Sequence, residues 1–119
     1  MRILLIDDDV PSADALRELL ELAGHRVLCA GNGREALDRL RETGQVGLIL
    51  LDLMMPVMDG YEFRKEQLKD SRLASIPVVV LTADGRVREK ARELQADRYL
   101  QKPLSPSALL GVVNACGQA

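Results

Sequence analysis

The sequence is poor in several residue types on which common binding chemistries depend. Of its 119 residues only Tyr61, Phe63 and Tyr99 are aromatic, and tryptophan is missing altogether. That leaves too little planar surface for stacking nucleic-acid bases. The 16 lysines and arginines are scattered and are outnumbered by 18 acids, for a formal charge of −2. Direct nucleic-acid binding by this chain is therefore not expected. Cys29 and Cys116 stand far apart with no histidine partner, which argues against a disulfide scaffold or zinc cluster and predicts two buried reduced thiols. The single histidine, His25, lies in the turn Gly24-His25-Arg26 with no four-helix context around it. It reads as a solvated turn residue rather than a phosphodonor. No apolar run approaches membrane-spanning length, and Met1–Ile6 lacks the basic start and long apolar stretch of a signal peptide. The expected setting is a reducing, soluble compartment, the cytoplasm, with no membrane partner.

What is present is an alternation. Short apolar runs occur at Ile3–Ile6, Val27–Ala30, Leu48–Leu51 and Val78–Leu81, with a weaker one at Tyr99–Leu100. Each is too short for a stable helix, and the third and fourth are apolar almost without interruption, as expected of strands covered on both faces. Between them lie helical stripes. Ala13, Leu16, Leu19, Leu20 and Ala23 form the first, with Gly24 placed to stop it. Ala36, Leu37 and Leu40 form the second, ending near Gly44. Tyr61–Leu68 gives a third with acids and bases mixed on its outer side, and Val87, Ala91 and Leu94 a fourth. Ser105-Pro106 reads as a cap and first-turn proline for a fifth helix carrying Leu109, Leu110 and Val113. The length fits one domain over residues 1–119, with no repeat and no linker.

Strand–helix alternation predicts an α/β fold of three layers, a doubly wound five-stranded parallel sheet with five helices. A common strand order is 2-1-3-4-5, and ligands then bind beyond the C-terminal strand ends between the first and third strands. Those two ends are acidic. The first strand runs into Asp7-Asp8-Asp9 and the third into Asp52. Like charges brought that close repel by several kcal/mol unless a cation or a proton compensates. Oxygen donors with open positions suit Mg2+, with Mn2+ as the alternative ion. Thr82 and Lys102 follow the fourth and fifth strands, and a hydroxyl and an ammonium opposite a metal-bound carboxylate make a cradle for a phosphoryl group.

Taken one at a time, these residues have plainer explanations. Asp7-Asp8-Asp9 can be an N-cap with dipole-favourable acids, and Asp9 suits that role. Thr82 can cap a helix and Lys102 can be solvated. Asp52 is harder to dismiss, because an aspartate ending a fully apolar strand is an expensive place for a charge. The placement of all of them on successive strand ends is what favours a site.

The segments Ile3–Asp9, Leu48–Gly60, Val78–Ala83 and Asp97–Ser105 resemble the receiver domain of two-component response regulators, the CheY-like family, along essentially the whole chain. The pattern Asp52-Leu53-Met54-Met55-Pro56-Val57-Met58-Asp59-Gly60 is the most specific of the matches. The resemblance implies a flavodoxin-like fold and a signalling phosphoacceptor that assists only its own phosphorylation and dephosphorylation. It implies Asp52 as phosphoacceptor, Asp8 as Mg2+ ligand with Asp7 in support, and the Met54 carbonyl completing the protein's share of the coordination. It further implies Thr82 and Lys102 as phosphoryl contacts, Tyr99 as an aromatic switch with Thr82, and a cis peptide at Lys102-Pro103. The implied partners are a sensor histidine kinase or phosphotransfer protein selected by the first helix. A downstream effector or output domain, or a phosphorylation-dependent homodimer mate, would meet the fourth helix, fifth strand and fifth helix. Gln95 stands where the family commonly has glycine, which puts the form of the turn into the fifth strand in question. Leu104 replaces a frequent aromatic, and Met54 and Asp84 fall at variable positions that in the family influence phosphoryl lifetime.

Three rivals deserve comparison. Gly31-Asn32-Gly33-Arg34-Glu35-Ala36 fits the dinucleotide fingerprint, yet it follows the second strand rather than the first. A Mg2+-dependent aspartyl phosphotransferase or phosphatase acting on small substrates would use the same nucleophile. It would also want a second acid near Asp52 and a cap insertion, and neither is found. A partner-binding module without phosphorylation is disfavoured by the intact set of Asp8, Asp52, Thr82 and Lys102. After the fifth helix only Gly117-Gln118-Ala119 remain, so a stand-alone receiver and a portion of a longer regulator both fit.

Overall fold

Five parallel strands form the middle of the molecule in the order β2-β1-β3-β4-β5. They are β1 (Arg2–Ile6), β2 (Arg26–Ala30), β3 (Leu48–Asp52), β4 (Val78–Thr82) and β5 (Arg98–Gln101), alternating with α1 (Val10–Leu22), α2 (Gly33–Thr43), α3 (Gly60–Lys69), α4 (Val87–Glu93) and α5 (Pro106–Gly117). This computed structural model describes residues 1–117, so Gln118 and Ala119 lie outside the described residues.

The sheet separates two apolar cores by strict alternation of its side chains. Leu4, Ile6, Ile49, Leu51, Val78 and Val80 face α2, α3 and α4, packing on Ala36, Leu37, Leu40, Phe63, Val87 and Ala91. Ile3, Leu5, Leu48, Leu50, Val79 and Leu81 face the opposite way onto Ala13 and Leu20 of α1 and Leu109 and Val113 of α5. Every residue of β3 and β4 is buried, which accounts for their unbroken apolar sequence. Each leucine so buried stabilises the fold by about 2 kcal/mol. β5 lies at an edge and is mostly exposed, hence its weak signal in the sequence.

Helix ends follow local chemistry. Asn32 accepts the Glu35 amide at 2.9 Å to start α2, and Gly44 ends it with φ 72°. Asp59 and Glu62 form a reciprocal capping box at α3. Ser105 Oγ accepts the Ala108 amide at 3.0 Å, with Pro106 beginning α5 as expected. Asp9 takes the N-cap position of α1 but its side chain makes no capping hydrogen bond.

Two expectations are corrected. The expected outer side of mixed acids and bases on the third helix does not hold for Arg64, which is buried together with Gln67 while Leu68 is exposed. Arg64 donates to the Leu94 and Gln95 carbonyls at 2.9 and 2.6 Å and to Gln67 Oε1 at 2.8 Å. Gln67 Nε2 in turn donates to the Leu73 and Ile76 carbonyls. Of these carbonyls, those of Leu94, Gln95 and Ile76 accept no backbone amide among the described residues, and the two polar side chains turn inward to them. Burial pushes the Arg64 guanidinium below its ordinary pKa, against the opposing charge of Asp97. Second, Cys29 and Cys116 are free thiols but only half-buried, since Cys29 lies on edge strand β2 and Cys116 near the end of α5. The turn into the fifth strand, left open by the sequence, places Gln95 in left-handed backbone at φ 55°, a conformation glycine takes more readily.

Candidate functional site

The C-terminal ends of β1, β3, β4 and β5 meet at one edge, across the point where strand order reverses. Register does the positioning: Ile6 pairs with Leu51, Asp52 with Leu81, and Thr82 with Gln101. The residues next along β1, β3 and β5 are therefore brought together by the same ladders that build the core. Asp7, Asp8 and Asp52 each offer a carboxylate oxygen within 4.8 Å of the others. Asp7 and Asp52 are buried, at 4% and 8% exposure, while Asp8 is exposed. Asp7 is held by its amide to the Ala30 carbonyl and by its Oδ1, which accepts the Asp9 amide at 2.9 Å.

Lys102 closes the site from β5. Its amide donates to the Thr82 carbonyl at 2.9 Å, and the bond to Pro103 is cis as the family resemblance implies. Its Nζ lies 3.2 Å from Asp7 Oδ2 and 3.6 Å from Asp52 Oδ2. One ammonium thus serves two buried carboxylates. Burial pushes the Asp52 carboxyl above its ordinary value; Lys102 and the Met54 amide, 3.3 Å from Oδ1, oppose this, and neighbouring Asp7 adds to it. Three carboxylates facing one ammonium leave a deficit of positive charge, and every donor is oxygen. That set fits a hard divalent cation.

Beside the carboxylates a cavity of about 420 Å3 opens, lined by Asp52, Met54, Thr82, Asp84, Lys90 and Lys102. Thr82 is buried, and its Oγ1 accepts the Asp84 amide at 3.2 Å, leaving its own O–H free to donate elsewhere. Close packing holds Asp52 from behind. A Cβ at Gly60 would sit 2.9 Å from the Asp52 carbonyl oxygen, so the start of α3 can touch β3 only as glycine. In the intervening loop Val57 adopts φ 66°, a strained conformation for a β-branched residue, spanned by a 2.7 Å bond from the Met58 amide to the Pro56 carbonyl.

Asp7, Asp8, Asp52, Met54, Thr82 and Lys102 are all gathered at this edge. Tyr99 is not. It is 38% exposed, and its hydroxyl accepts a 3.1 Å hydrogen bond from Arg88 Nε of α4. Lys90 escaped sequence reasoning; the available signal was its position eight residues after Thr82, on the first turns of a helix leaving the site edge. The G-x-G-x-x-A segment does follow a strand and open a helix, but its space is taken. The Gly33 amide donates to the Met58 carbonyl at 2.8 Å, and a Cβ there would meet Met58 Cγ at 2.7 Å. Its glycine serves a protein contact rather than a pyrophosphate.

A doubly wound sheet with this carboxylate, threonine and lysine arrangement at its switch point defines the class, and the model of the response regulator receiver domain matches residues 3–114. The chain belongs to that family. Among curated relatives it is 40% identical over 116 residues to the transcriptional regulatory protein CpxR homolog of Haemophilus influenzae, covering 96% of this chain and 49% of that protein. It is equally 40% identical to the DNA-binding dual master transcriptional regulator RpaA of Synechocystis, covering 96% and 48%. The chain spans about half the length of the curated relatives it matches. Among solved structures, chemotaxis protein CheY4 of Vibrio cholerae superposes with a TM-score of 0.88 at 29% identity, covering 97% of each chain. The receiver domain of Francisella response regulator 1452 does so at 0.84 and 31% identity, covering 97% of this chain and 94% of that one.

Proposed function

We propose that residues 1–119 act as one receiver unit in which Asp52 accepts a phosphoryl group from a sensor histidine kinase, a phosphotransfer protein or a small phosphodonor. The observation that carries this reading is the position of Lys102 Nζ between Asp7 and Asp52, 3.2 and 3.6 Å away. An Asp52 oxygen attacks phosphorus in line, the bond from phosphorus to the donor breaks, and its electron pair leaves with the imidazole or other leaving group. Lys102 swings from the carboxylates to an equatorial phosphoryl oxygen, and the free Thr82 O–H donates to another. Asp7, Asp8, Asp52 and the Met54 carbonyl would hold Mg2+, or Mn2+ in its place. The chemistry such an ion supplies is neutralisation of charge on phosphoryl oxygens.

Drawing Thr82 inward leaves room for Tyr99 to turn from Arg88 toward the core, biasing a two-state surface over α4, β5 and α5. That surface meets a downstream effector, an output domain or a second receiver, and exposed residues of α1 select the kinase. The chain works in the cytoplasm as a stoichiometric acceptor rather than a turnover enzyme. Treatment with acetyl phosphate or beryllofluoride plus Mg2+ tests this: the native chain gains one phosphoryl mass or a spectral change, and Asp52→Asn gains neither. An equal response from the variant overturns the assignment, and multiple turnover on a phosphate ester would transfer the site to the phosphatase class.

A further inference from the structure

Away from the phosphoryl site, the surface joining α4 to β5 presents charge of one sign. Arg88 and Arg92 stand one turn apart on α4, both exposed, and the 3.1 Å bond from Arg88 Nε to the Tyr99 hydroxyl turns that side of the helix toward β5. Arg98 is exposed on β5 and shares its strand face with Leu100, which packs into the core beneath α5. None of these arginines forms an ion pair among the described residues. The neighbouring acids are directed elsewhere. Glu93 lines the groove between α4 and α3, and Glu89 lies one turn before it on the same side. Asp97 Oδ2 accepts the Val78 amide at 2.9 Å. On the far side of β5, α5 has no charged residue anywhere along Pro106–Gly117.

We propose that Arg88, Arg92 and Arg98 form a docking strip for an acidic segment of another protein, and not for a second copy of this chain. The inference rests on the reading of Asp52 as acceptor and of α4, β5 and α5 as the surface it switches. A two-fold contact between copies sets a face against itself, so each arginine would need an acid from that same face. The face offers none. Arginines would meet arginines or the uncharged α5, and like charges brought together oppose association. A segment bearing carboxylates has the matching balance, since a guanidinium can take both oxygens of a carboxylate at once. Nucleic acid is the poorer match, because the chain as a whole carries a formal charge of −2 and the strip offers Tyr99 as its one aromatic. Switching enters through Arg88. Its Nε is occupied by the outward Tyr99, and an inward Tyr99 releases it to the partner.

The test titrates the whole chain, with and without beryllofluoride and Mg2+, into a fluorescein-labelled amphipathic peptide of glutamate and leucine, followed by fluorescence anisotropy. The peptide binds the native chain, more tightly with beryllofluoride, and the same peptide with lysine in place of glutamate does not bind. Arg92→Glu and Arg98→Glu each weaken binding by about fivefold, the upper scale of one exposed charge contact. Glu93→Gln, on the α3 side of the same helix, leaves binding near native. Three results each overturn the inference: charge reversal without effect, short duplex DNA binding as tightly as the peptide, or sedimentation of the beryllofluoride-treated chain as a dimer. A native chain with no spectral response to beryllofluoride and no mass gain from acetyl phosphate overturns the parent reading instead.

Discussion

At the C-terminal edge of the sheet Asp7, Asp52 and Thr82 are buried beneath Lys102; under α3, Arg64 and Gln67 are buried as well. The second cluster is closed. Arg64 spends its donors on Leu94, Gln95 and Gln67, and Gln67 spends its amide on Leu73 and Ile76, so each polar group ends on a backbone carbonyl or on its neighbour. The first cluster is open. Asp7 and Asp52 share one ammonium and keep unused lone pairs, and Asp52 faces a cavity. Burial is nearly the same in the two places, and what separates them is whether the chemistry is used up internally. A satisfied network fixes the turn between α4 and β5; an unsatisfied one invites a ligand.

Removing Lys102 breaks the comparison most severely. Lys102→Met leaves two buried carboxylates facing each other, and phosphoryl uptake from acetyl phosphate falls by about 10²–10³-fold, the scale of a lost transition-state donor. Initial rates by intact mass measure it, and a native rate would deny Lys102 any role at phosphorus. Arg64→Leu acts on the other cluster. It strands the Leu94 and Gln95 carbonyls and Gln67 Oε1, lowering stability by about 3 kcal/mol in urea unfolding. Uptake by the folded fraction stays near native; impaired uptake at unchanged stability would reverse the roles of the two clusters.

A smaller effect comes from the charge on Asp52 itself. Its carboxyl binds a proton more tightly folded than unfolded, because burial outweighs Lys102. Its contribution to stability is therefore present at low pH and is lost as pH rises through the raised value. Without divalent ions, Asp52→Asn melts a few degrees above the native chain near neutral pH, and the gap closes toward about pH 4. Added Mg2+ raises the native melting temperature and not that of the variant. A variant that melts no higher than the native chain near neutral pH would mean that Asp52 is not strained by its surroundings. Smallest are two non-glycine residues with left-handed backbone, Val57 near the open cluster and Gln95 beside the closed one. Val57→Gly and Gln95→Gly each stabilise by roughly 0.5–1 kcal/mol after the entropy of glycine is counted, with Val57 the larger because it is β-branched. Differential scanning calorimetry resolves such shifts, and a loss at Gln95 would show that its side chain packs as well as its backbone turns.

The same contrast marks what the sequence makes legible. Strands surface as apolar runs because β3 and β4 are covered on both faces, and their parallel direction follows from strand–helix alternation. Asp7, Asp8, Asp52, Thr82 and Lys102 are readable because each stands where an apolar strand stops. Arg64 and Gln67 are not, since a polar residue on a helix looks solvent-facing until the carbonyls it meets, about thirty positions away for Arg64, are in place. Lys90 is hidden for a like reason: nothing local distinguishes it from Arg88 or Arg92 on the same helix. The outward Tyr99 depends on Arg88, eleven positions off, rather than on its own strand.

The contact that neutralises the open cluster joins residues 95 positions apart. The contact exists only when β3 and β4 stand paired between β1 and β5. A nascent or partly unravelled chain therefore presents Asp7 and Asp52 without their counter-charge. In such a chain the Asp52 carboxylate exists but lacks the ammonium that would meet an anionic group. On the proposed reading of Asp52, the long reach of Lys102 ties phosphoryl acceptance to a completed sheet.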